Sequence, residues 1–516
     1  MRLIYEKAAV VQVWLGEDTP AKSCEEAFYL LRELRHAYNE LGWDFDIFTK
    51  RWRGKVLESC RLPALNDPSW WSLLELLQRP WFSRVWIIQE IVVSRNAILR
   101  CGGLKLGWKD FCFGFLFAIN AGFVYRQDVF HHPFAYQQLI PLILTYICFA
   151  EPTYLKFDLF SLLQSHRLSG ATDLRDKVYA LIGLSTLIES EAHSIIPDYS
   201  LSTEAVYTEI AKAIISKSPT LDILGVPRTT SSSLFTKVPS WVPDWSVAHL
   251  GSSLAVKNLQ GDYMFDFNAT KVHIPKCVIF RGDSLILDGH VFDTVVKVGK
   301  VMDPFNSSAV GEQTTSRYSS SRPGILLSML HLIAVIQDWR TVYRGLGSSR
   351  TDLYASDSPL EVFCRVILFD TMPADYTLAS AAQSYGRPAI RVFYPILSYL
   401  YRFPLIQRIV NGLESRKSAR HGLLRQSDGR ISNEMPDLIA RTVGRRMFVT
   451  ERGYLGLAPE LTELGCRVAV GKGGKFPLIL KPKEHERWEL IGDCYVHGIV
   501  HGEGFEQCKC TEMEVV

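Results

Sequence analysis

Arg79-Pro80-Trp81-Phe82-Ser83-Arg84-Val85-Trp86-Ile87-Ile88-Gln89-Glu90 is the most distinctive stretch of this 516-residue chain, with polar Arg84, Gln89 and Glu90 set among bulky apolar side chains. Pro80 suits a first helical position, where its missing N–H has no partner to lose. Trp81, Val85, Ile88 and Val92 then follow at steps of three and four, which predicts one helix with a strongly apolar face. Two readings of Glu90 stay open. It is a general base or a nucleotide-ribose ligand with a raised pKa, or a buried acid neutralised by an arginine, the more frequent situation.

Outward from this stretch the chain is helical on both sides. Upstream, a helical turn around Ile4 to Lys7 leads into a buried strand over Ala8 to Leu15. Glu25 to Glu40 then carries Ala27, Leu30, Leu31, Leu34 and Tyr38 at helical spacing, with Ser23 as N-cap and Glu26 as its capping-box partner. Downstream, Phe111 to Leu163 is aromatic-rich and helical. Asp173 caps a helix bearing Val178, Leu181 and Ile182 on one face before Gly183, and Glu204 to Ser216 repeats that logic with Val206, Ile210, Ala213 and Ile214.

Beyond Pro239 the texture changes to strands and turns. Val272 to Phe280, Ser284 to Leu287 and Val291 to Val298 are divided by Gly282, Asp283 and Gly289. Further strands are expected over Met447 to Thr450, Arg467 to Val470, Phe476 to Leu480, Trp488 to Ile491 and Tyr495 to Val500. Asn306 to Gly324 and Asn411 to Met435 read as polar surface loops or linkers. These shifts give segments 1–95, 96–250 (helical), 251–305 (β), 306–440 (a variable helical insert with flexible linkers) and 441–516 (a β-rich C-terminal module). The fold class is α+β or α/β.

Composition narrows the function. At 47% hydrophobic, 22% charged and 12% aromatic the chain is an ordinary globular one, and 57 basic against 54 acidic residues leave too small a field to indicate a nucleic-acid partner. Eleven cysteines are scattered without a dense framework, and the N-terminus has no apolar signal region, so the chain is expected in the cytoplasm with reduced thiols. Phe111 to Tyr125, Leu139 to Ala150 and Ile325 to Ile336 are too short to span a bilayer, and Pro141 interrupts the second; they read as core helices.

Catalytic signatures such as GxSxG, HExxH, GxGxxG after a strand and paired CxxC are absent. Gly471-Lys472-Gly473-Gly474-Lys475 lacks the Ser or Thr and the following helix of a phosphate-binding loop, and reads as a hairpin turn. His497, His501, Cys508 and Cys510 have ligand chemistry. His497 and His501, however, stand about 13 Å apart along a strand, so no metal site and no cofactor are expected. The acids of Asp173-Leu174-Arg175-Asp176-Lys177 have an electrostatic reason to gather at a helix N-terminus. Pro239-Ser240-Trp241-Val242-Pro243-Asp244-Trp245-Ser246 suits a ligand platform or a rigid aromatic plug between domains, and the plug is the expectation.

Together these segments resemble the fungal heterokaryon-incompatibility (HET) domain proteins. The resemblance is carried by Ile4-Tyr5 and Ala8 leading into Val13-Trp14-Leu15-Gly16, by the Arg79 to Glu90 stretch with Arg84, Trp86, Gln89 and Glu90, and by Arg175-Asp176-Lys177-Val178-Tyr179-Ala180-Leu181-Ile182-Gly183. Pro197-Asp198-Tyr199-Ser200, the run with Trp241, Pro243 and Trp245, Arg452 to Leu457 and Tyr495 to Gly498 continue it in order. The resemblance implies a non-self recognition protein that signals programmed cell death, with HET-domain or signalling relatives as protein partners and no membrane span. It also implies a TIR-like α/β domain, hence NAD as a possible substrate with Glu90 the candidate residue. Relatives open with strands that precede Trp14 and Gly16 here, so the resemblance implies that residues 1–95 are the C-terminal half of that domain. An inactive decoy that binds full-length relatives is the further alternative, and Cys466 and His501 stand where many relatives carry acids.

Overall fold

The computed structural model describes residues 2–19, 21–41, 57–121, 123, 138–150, 157–185, 196–229, 236–247, 253–255, 257, 263, 265, 267–270, 276–303, 334–343, 359–367, 369 and 442–516. The expected loops at 306–324 and 411–435 lie outside these, as does nearly all of the 306–440 insert. The chain forms two compact units, the first Met1–Asp198 and the second most of the remainder.

In the first unit, helix α1 (Arg2–Lys7) leads into strand β1 (Val11–Trp14), and α2 (Ser23–Leu41), α3 (Ser69–Leu77) and α4 (Ile87–Val92) precede the hairpin of β2 (Ala97–Cys101) and β3 (Leu104–Gly107). β1 runs parallel to β2, with Val11 opposite Ala97, and β3 returns antiparallel, giving the order β1-β2-β3. Val11 and Val13 face the core while Gln12 and Trp14 face out, as a strand's two-residue period requires. The aromatic stretch forms α5 (Trp108–Ala121), α6 (Leu139–Ala150) and α7 (Leu159–Ser165), followed by α8 (Asp176–Ile182). Trp108 packs on Trp81, Phe111 and Tyr146, and Phe111 on Phe82 and Phe115, so α5 supplies the spine of this core. Gly114 lets α5 approach α2 so closely that a Cβ there would strike the Leu31 carbonyl.

Two local expectations fail here. The Ser23–Glu26 capping box does not form: the Asp18 carboxylate accepts the Cys24 and Glu25 N–H groups, at 2.9 and 3.3 Å, and Glu26 instead accepts a bond from Ser72 Oγ across to α3. The expected continuous helix from Pro80 is broken as well. Pro80–Ser83 is a 3₁₀ turn, and Arg84 is extended because the flanking peptide groups are taken by Gly170: Val85 N–H donates to its carbonyl, and its N–H donates to Ser83 O. Only then does α4 begin.

The second unit opens with α9 (Thr203–Lys217), capped by Ser202 Oγ accepting the Ala205 N–H, and a 3₁₀ turn at Asp222–Gly225. Its β strands are β4 (Val278–Arg281), β5 (Ser284–Val301), β6 (Arg445–Thr450), β7 (Leu455–Pro459), β8 (Arg467–Gly471), β9 (Leu478–Pro482), β10 (Arg487–Asp493), β11 (Tyr495–Val496) and β12 (Thr511–Val515), with α10 (Pro359–Ile367) packed on β7. β5 pairs with β12, β12 with β10, β10 with β9, β9 with β8, and β8 returns to β5: the ring closes. Closure leaves these strands no open edge. Inside it lie Leu285, Leu287, Leu478, Leu480, Leu490 and Val515, together with Leu224 from the 3₁₀ turn. The alternate residues Val468, Ile479 and Ile491 face the other way and pack with Val295, Phe448, Ala458 and Val496 beneath β6, β7 and β11. Strands covered on both sides read as continuous apolar runs, as Leu478-Ile479-Leu480 does.

Lys472–Lys475 is indeed the β8–β9 hairpin turn, with Gly473 at φ +76. Gly289 is not a turn; it sits within the single long strand β5, where a Cβ would strike Met513 Cε and lie 2.9 Å from Val470 O. Gly289→Val is therefore expected to destabilise the barrel by about 1–3 kcal/mol through overpacking. Urea unfolding of the purified chain reads this directly, and a loss under about 0.5 kcal/mol would show that β12 can move aside. Among the described residues, no helix is long and apolar enough to cross a membrane.

Candidate functional site

The segments that stand out in the sequence of the first unit converge in space. The Arg79–Glu90 stretch and the loop leading into α8 are clasped together by the Ser83–Gly170–Val85 backbone bonds and by Trp86, whose Nε1 donates to Asp176 Oδ2 at 2.9 Å. Lys177 fastens the clasp from beneath. Its ammonium is buried and donates to the carbonyls of Arg167 (3.0 Å) and Ser169 (2.5 Å), so it holds the turn that presents Gly170. A buried charge needs such partners to be tolerated.

Gln89 is buried and lies against Gly183, where a Cβ would come within 2.9 Å of its Nε2 and push the amide aside. Arg2 Nη1 donates to the Gly183 carbonyl at 2.7 Å, tying α1 to the same spot. Gln89 Oε1 has no hydrogen-bond partner among the described residues. Glu90, one residue on, is half-buried: Trp81 Nε1 donates to its Oε2 at 3.4 Å, and the Tyr5 hydroxyl hydrogen-bonds the same carboxylate. Burial first, and then the Glu90 charge, push the Tyr5 pKa above its ordinary value, while the nearby Arg84 guanidinium opposes them. Tyr5, Arg84 and Glu90 thus form a small polar patch with mixed donor, cation and carboxylate character, open to solvent on one side. Its donors and acceptors suit a hydroxyl-bearing ligand.

The remaining motif residues are elsewhere. Arg175 turns back onto Asp173, Nη2 to Oδ2 at 2.7 Å and Nε to Oδ1 at 2.9 Å, and holds that carboxyl below its ordinary range. Trp14 projects from the outer face of β1, 54% exposed. Gly16, at φ +96, shapes the loop that Arg79 clamps by donating to Leu15 O at 2.6 Å and Glu17 O at 3.0 Å. Trp241, Pro243 and Trp245 are buried in the second unit. Trp241 packs on Phe280 and donates to Asp283 O at 2.9 Å, while Ser240 binds Leu490 N–H and Val516 O. Ser240 and Trp241 thus fasten this run to β4, β10 and the chain's last residue within the second unit.

The metal-like cluster of the sequence is dispersed: His497 Nδ1 meets Tyr495 Oη at 3.1 Å, His501 packs edge-on against Phe267, and Cys510 Sγ approaches Glu506 O at 3.8 Å. Cys466 is a core residue of the barrel, and burial pushes its thiol pKa up. Three arrangements had no signal in local spacing. Arg445 and Asp493 form a fully buried ion pair at 2.5 Å in the barrel. His166 is buried against Thr145 Oγ1 at 3.0 Å. Cys24 and Cys101, seventy-seven residues apart, are joined by a disulfide, contrary to the expectation of reduced thiols throughout.

Comparison with known proteins agrees with this geography. The heterokaryon incompatibility protein (HET) family model matches residues 1–90, and the Het-6 beta-barrel domain model matches residues 401–513. The closed barrel reaches beyond that second match, because β5 comes from earlier in the chain. Heterokaryon incompatibility protein 6, OR allele, of Neurospora crassa is 24% identical over 486 residues, covering 84% of this chain and 65% of its own. The chain therefore spans about 65% of the length of this curated relative. No solved structure matches. With the incompatibility segment holding the Trp14 to Glu90 motif residues at one end and the Het-6 barrel at the other, the chain is a fungal heterokaryon incompatibility (HET) domain protein.

Proposed function

We propose that this chain acts in non-self recognition, arresting growth and triggering cell death when incompatible hyphae fuse, in the cytoplasm and through HET-domain or signalling relatives as protein partners. The observation that carries this reading is the co-occurrence, in one chain and in order, of the HET segment and the Het-6 barrel. On this reading the patch at Tyr5, Arg84 and Glu90, beside the clasped Arg79–Glu90 and Asp173–Gly183 segments, is the working surface. Glu90→Ala should abolish growth arrest in a strain that expresses the chain, at unchanged protein abundance. Arrest at wild-type strength would remove Glu90 from the working surface. Arrest absent even from the wild-type chain, in every partner background tried, would overturn the reading as a whole.

A second reading is hydrolysis of NAD, with Glu90 assisting cleavage of the ribosyl bond. It is favoured by one observation: the Glu90 carboxylate is half-exposed, anchored by Trp81 and Tyr5, and shares its patch with Arg84. Falling NAD in cells expressing the wild type but not Glu90→Gln would support it. Constant NAD in arrested cells would leave a binding and signalling role alone.

A further inference from the structure

Cys24, at the start of α2, and Cys101, at the end of β2, are 1% and 0% exposed, and Asp18 joins them from the loop after β1. The two sulfurs and a carboxylate oxygen of Asp18 all lie within 4.8 Å of one another. No other trio of His, Cys, Asp or Glu among the described residues comes together in this way. We propose that these three residues form a zinc site, filled when the Cys24–Cys101 bond is reduced.

Several features show the site to be built and not a chance meeting. Asp18 is fixed by three backbone N–H groups, from Thr19 (2.8 Å), Cys24 (2.9 Å) and Glu25 (3.3 Å). Its loop is held by Arg79 on the carbonyls of Leu15 and Glu17, and by Gly102 N–H on Gly16 O at 2.9 Å. The cysteine Cα atoms are 6.6 Å apart, at the wide end of the roughly 4.4–6.8 Å that a disulfide spans. Side-chain rotation alone can therefore part the sulfurs to admit an ion that needs Zn–S distances of about 2.3 Å. Two thiolates with one carboxylate suit a thiophilic, four-coordinate ion, and water supplies the fourth ligand. A cysteine pair in a chain without a secreted framework is also more often a metal or redox site than a structural staple.

The chemistry balances. A small-molecule thiol reduces the bond, one disulfide and two RSH giving two cysteine thiols and RSSR. Zn²⁺ then binds the two sulfurs and displaces their two protons to solvent, which makes uptake weaken as pH falls. Oxidation by a disulfide or peroxide reverses the sequence and expels the ion. The site thus converts thiol redox state into metal occupancy at the junction of β1, α2 and β2, beside the loop that Arg79 clamps.

The test is Zn²⁺ titration of the full-length chain, reduced with a phosphine and separately oxidised, against a chromophoric chelator. The reduced wild type should take up one equivalent more than the oxidised one. Cys24→Ser and Cys101→Ser should each weaken binding by more than about 100-fold, and Asp18→Asn by about 10-fold. Co²⁺ in place of Zn²⁺ should show the thiolate-to-cobalt absorption of two sulfurs, lost in the Cys101→Ser chain. Equal uptake by reduced and oxidised wild type, or undiminished uptake by a Cys24→Ser/Cys101→Ser double variant, would overturn the site. The wild-type comparison needs no substitution, so misfolding of a variant cannot blur the result.

Discussion

Arg445→Met should destabilise the barrel by about 3–5 kcal/mol at neutral pH, the cost of stranding a buried charge. Arg445 and Asp493 are both fully buried, with Nη2 to Oδ1 at 2.5 Å and Nη1 donating to the Asp493 carbonyl at 3.0 Å. The second carboxylate oxygen accepts Leu254 N–H at 2.6 Å and Ser253 Oγ at 2.9 Å, and a Cβ on Gly225 would lie only 2.7 Å from it. One carboxylate thus joins β6, β10, the 3₁₀ turn and the 253–255 segment. Burial pushes the Asp493 carboxyl above its ordinary range, and the adjacent guanidinium offsets this. Without Arg445 the folded-state pKa rises further above the unfolded one. The deficit is then full at pH above that raised value and shrinks as pH falls toward the ordinary carboxylate range. Urea unfolding at pH 7.5 and 5 measures both claims. A compensating Asp493→Asn change, made together with Arg445→Met, should recover part of the loss by removing the stranded charge. A loss under about 1 kcal/mol, the scale of an exposed pair, would mean that water reaches the site.

The second large effect is acid lability of the first unit through His166. The imidazole is buried between α6 and α7, bonded at Nε2 to Thr145, with no hydrogen-bond partner at Nδ1 among the described residues, and burial pushes its pKa down to about 3. The unfolded chain takes up this proton below about pH 6.5, whereas the folded one does not until about pH 3. Stability from the neutral histidine is therefore fully present above pH 6.5 and lost as pH falls through that window, at up to about 1.4 kcal/mol per pH unit and about 5 kcal/mol in all. His166→Gln keeps a polar partner for Thr145 but cannot titrate. The difference in unfolding free energy between wild type and variant should fall steadily from pH 6.5 to 4, read from urea midpoints or from hydrogen exchange in α6 and α7. Parallel pH profiles for the two chains would rule the mechanism out.

How much of this is legible in the chain depends on the range of the deciding interaction. β1, α2, α9 and most barrel strands announce themselves because burial of one face imposes a period of two or 3.6 on their own residues. Pro80 to Val92 keeps a helical period yet is not one helix, because Gly170, far along the chain, takes the peptide groups of Ser83 and Val85. β7 and β12 are hidden for compositional reasons. Gly456 and Pro459 look like turn residues in the first, and Glu512 and Glu514 break the apolar run in the second, although Met513 and Val515 face the core. Gly289 shows the converse: a residue that reads as a turn is a crossing point, where glycine is needed because Met513 and Val470 approach it.

The motif residues of the candidate site are visible as chemistry in the sequence, while their grouping is not. Arg84, Trp86, Gln89 and Glu90 stand out because polar groups among bulky apolar ones need partners. Which partners they find, Tyr5, Asp176 and Gly183, depends on α1 and α8 folding back over α4, and sequence spacing carries no record of that.

By itself, then, the sequence determined the family, the α+β class and the change from a helical first part to a β-rich last one, since these follow from residue type and from periodicities spanning a few positions. Tertiary structure alone decided the closure of the barrel through β5 and β8, the Arg445–Asp493 pair, the meeting of Cys24 with Cys101 and Asp18, and the packing of Trp241 against Phe280 of β4. Each of these joins groups distant along the chain, and such contacts are selected by the burial of the whole core, not by any local pattern.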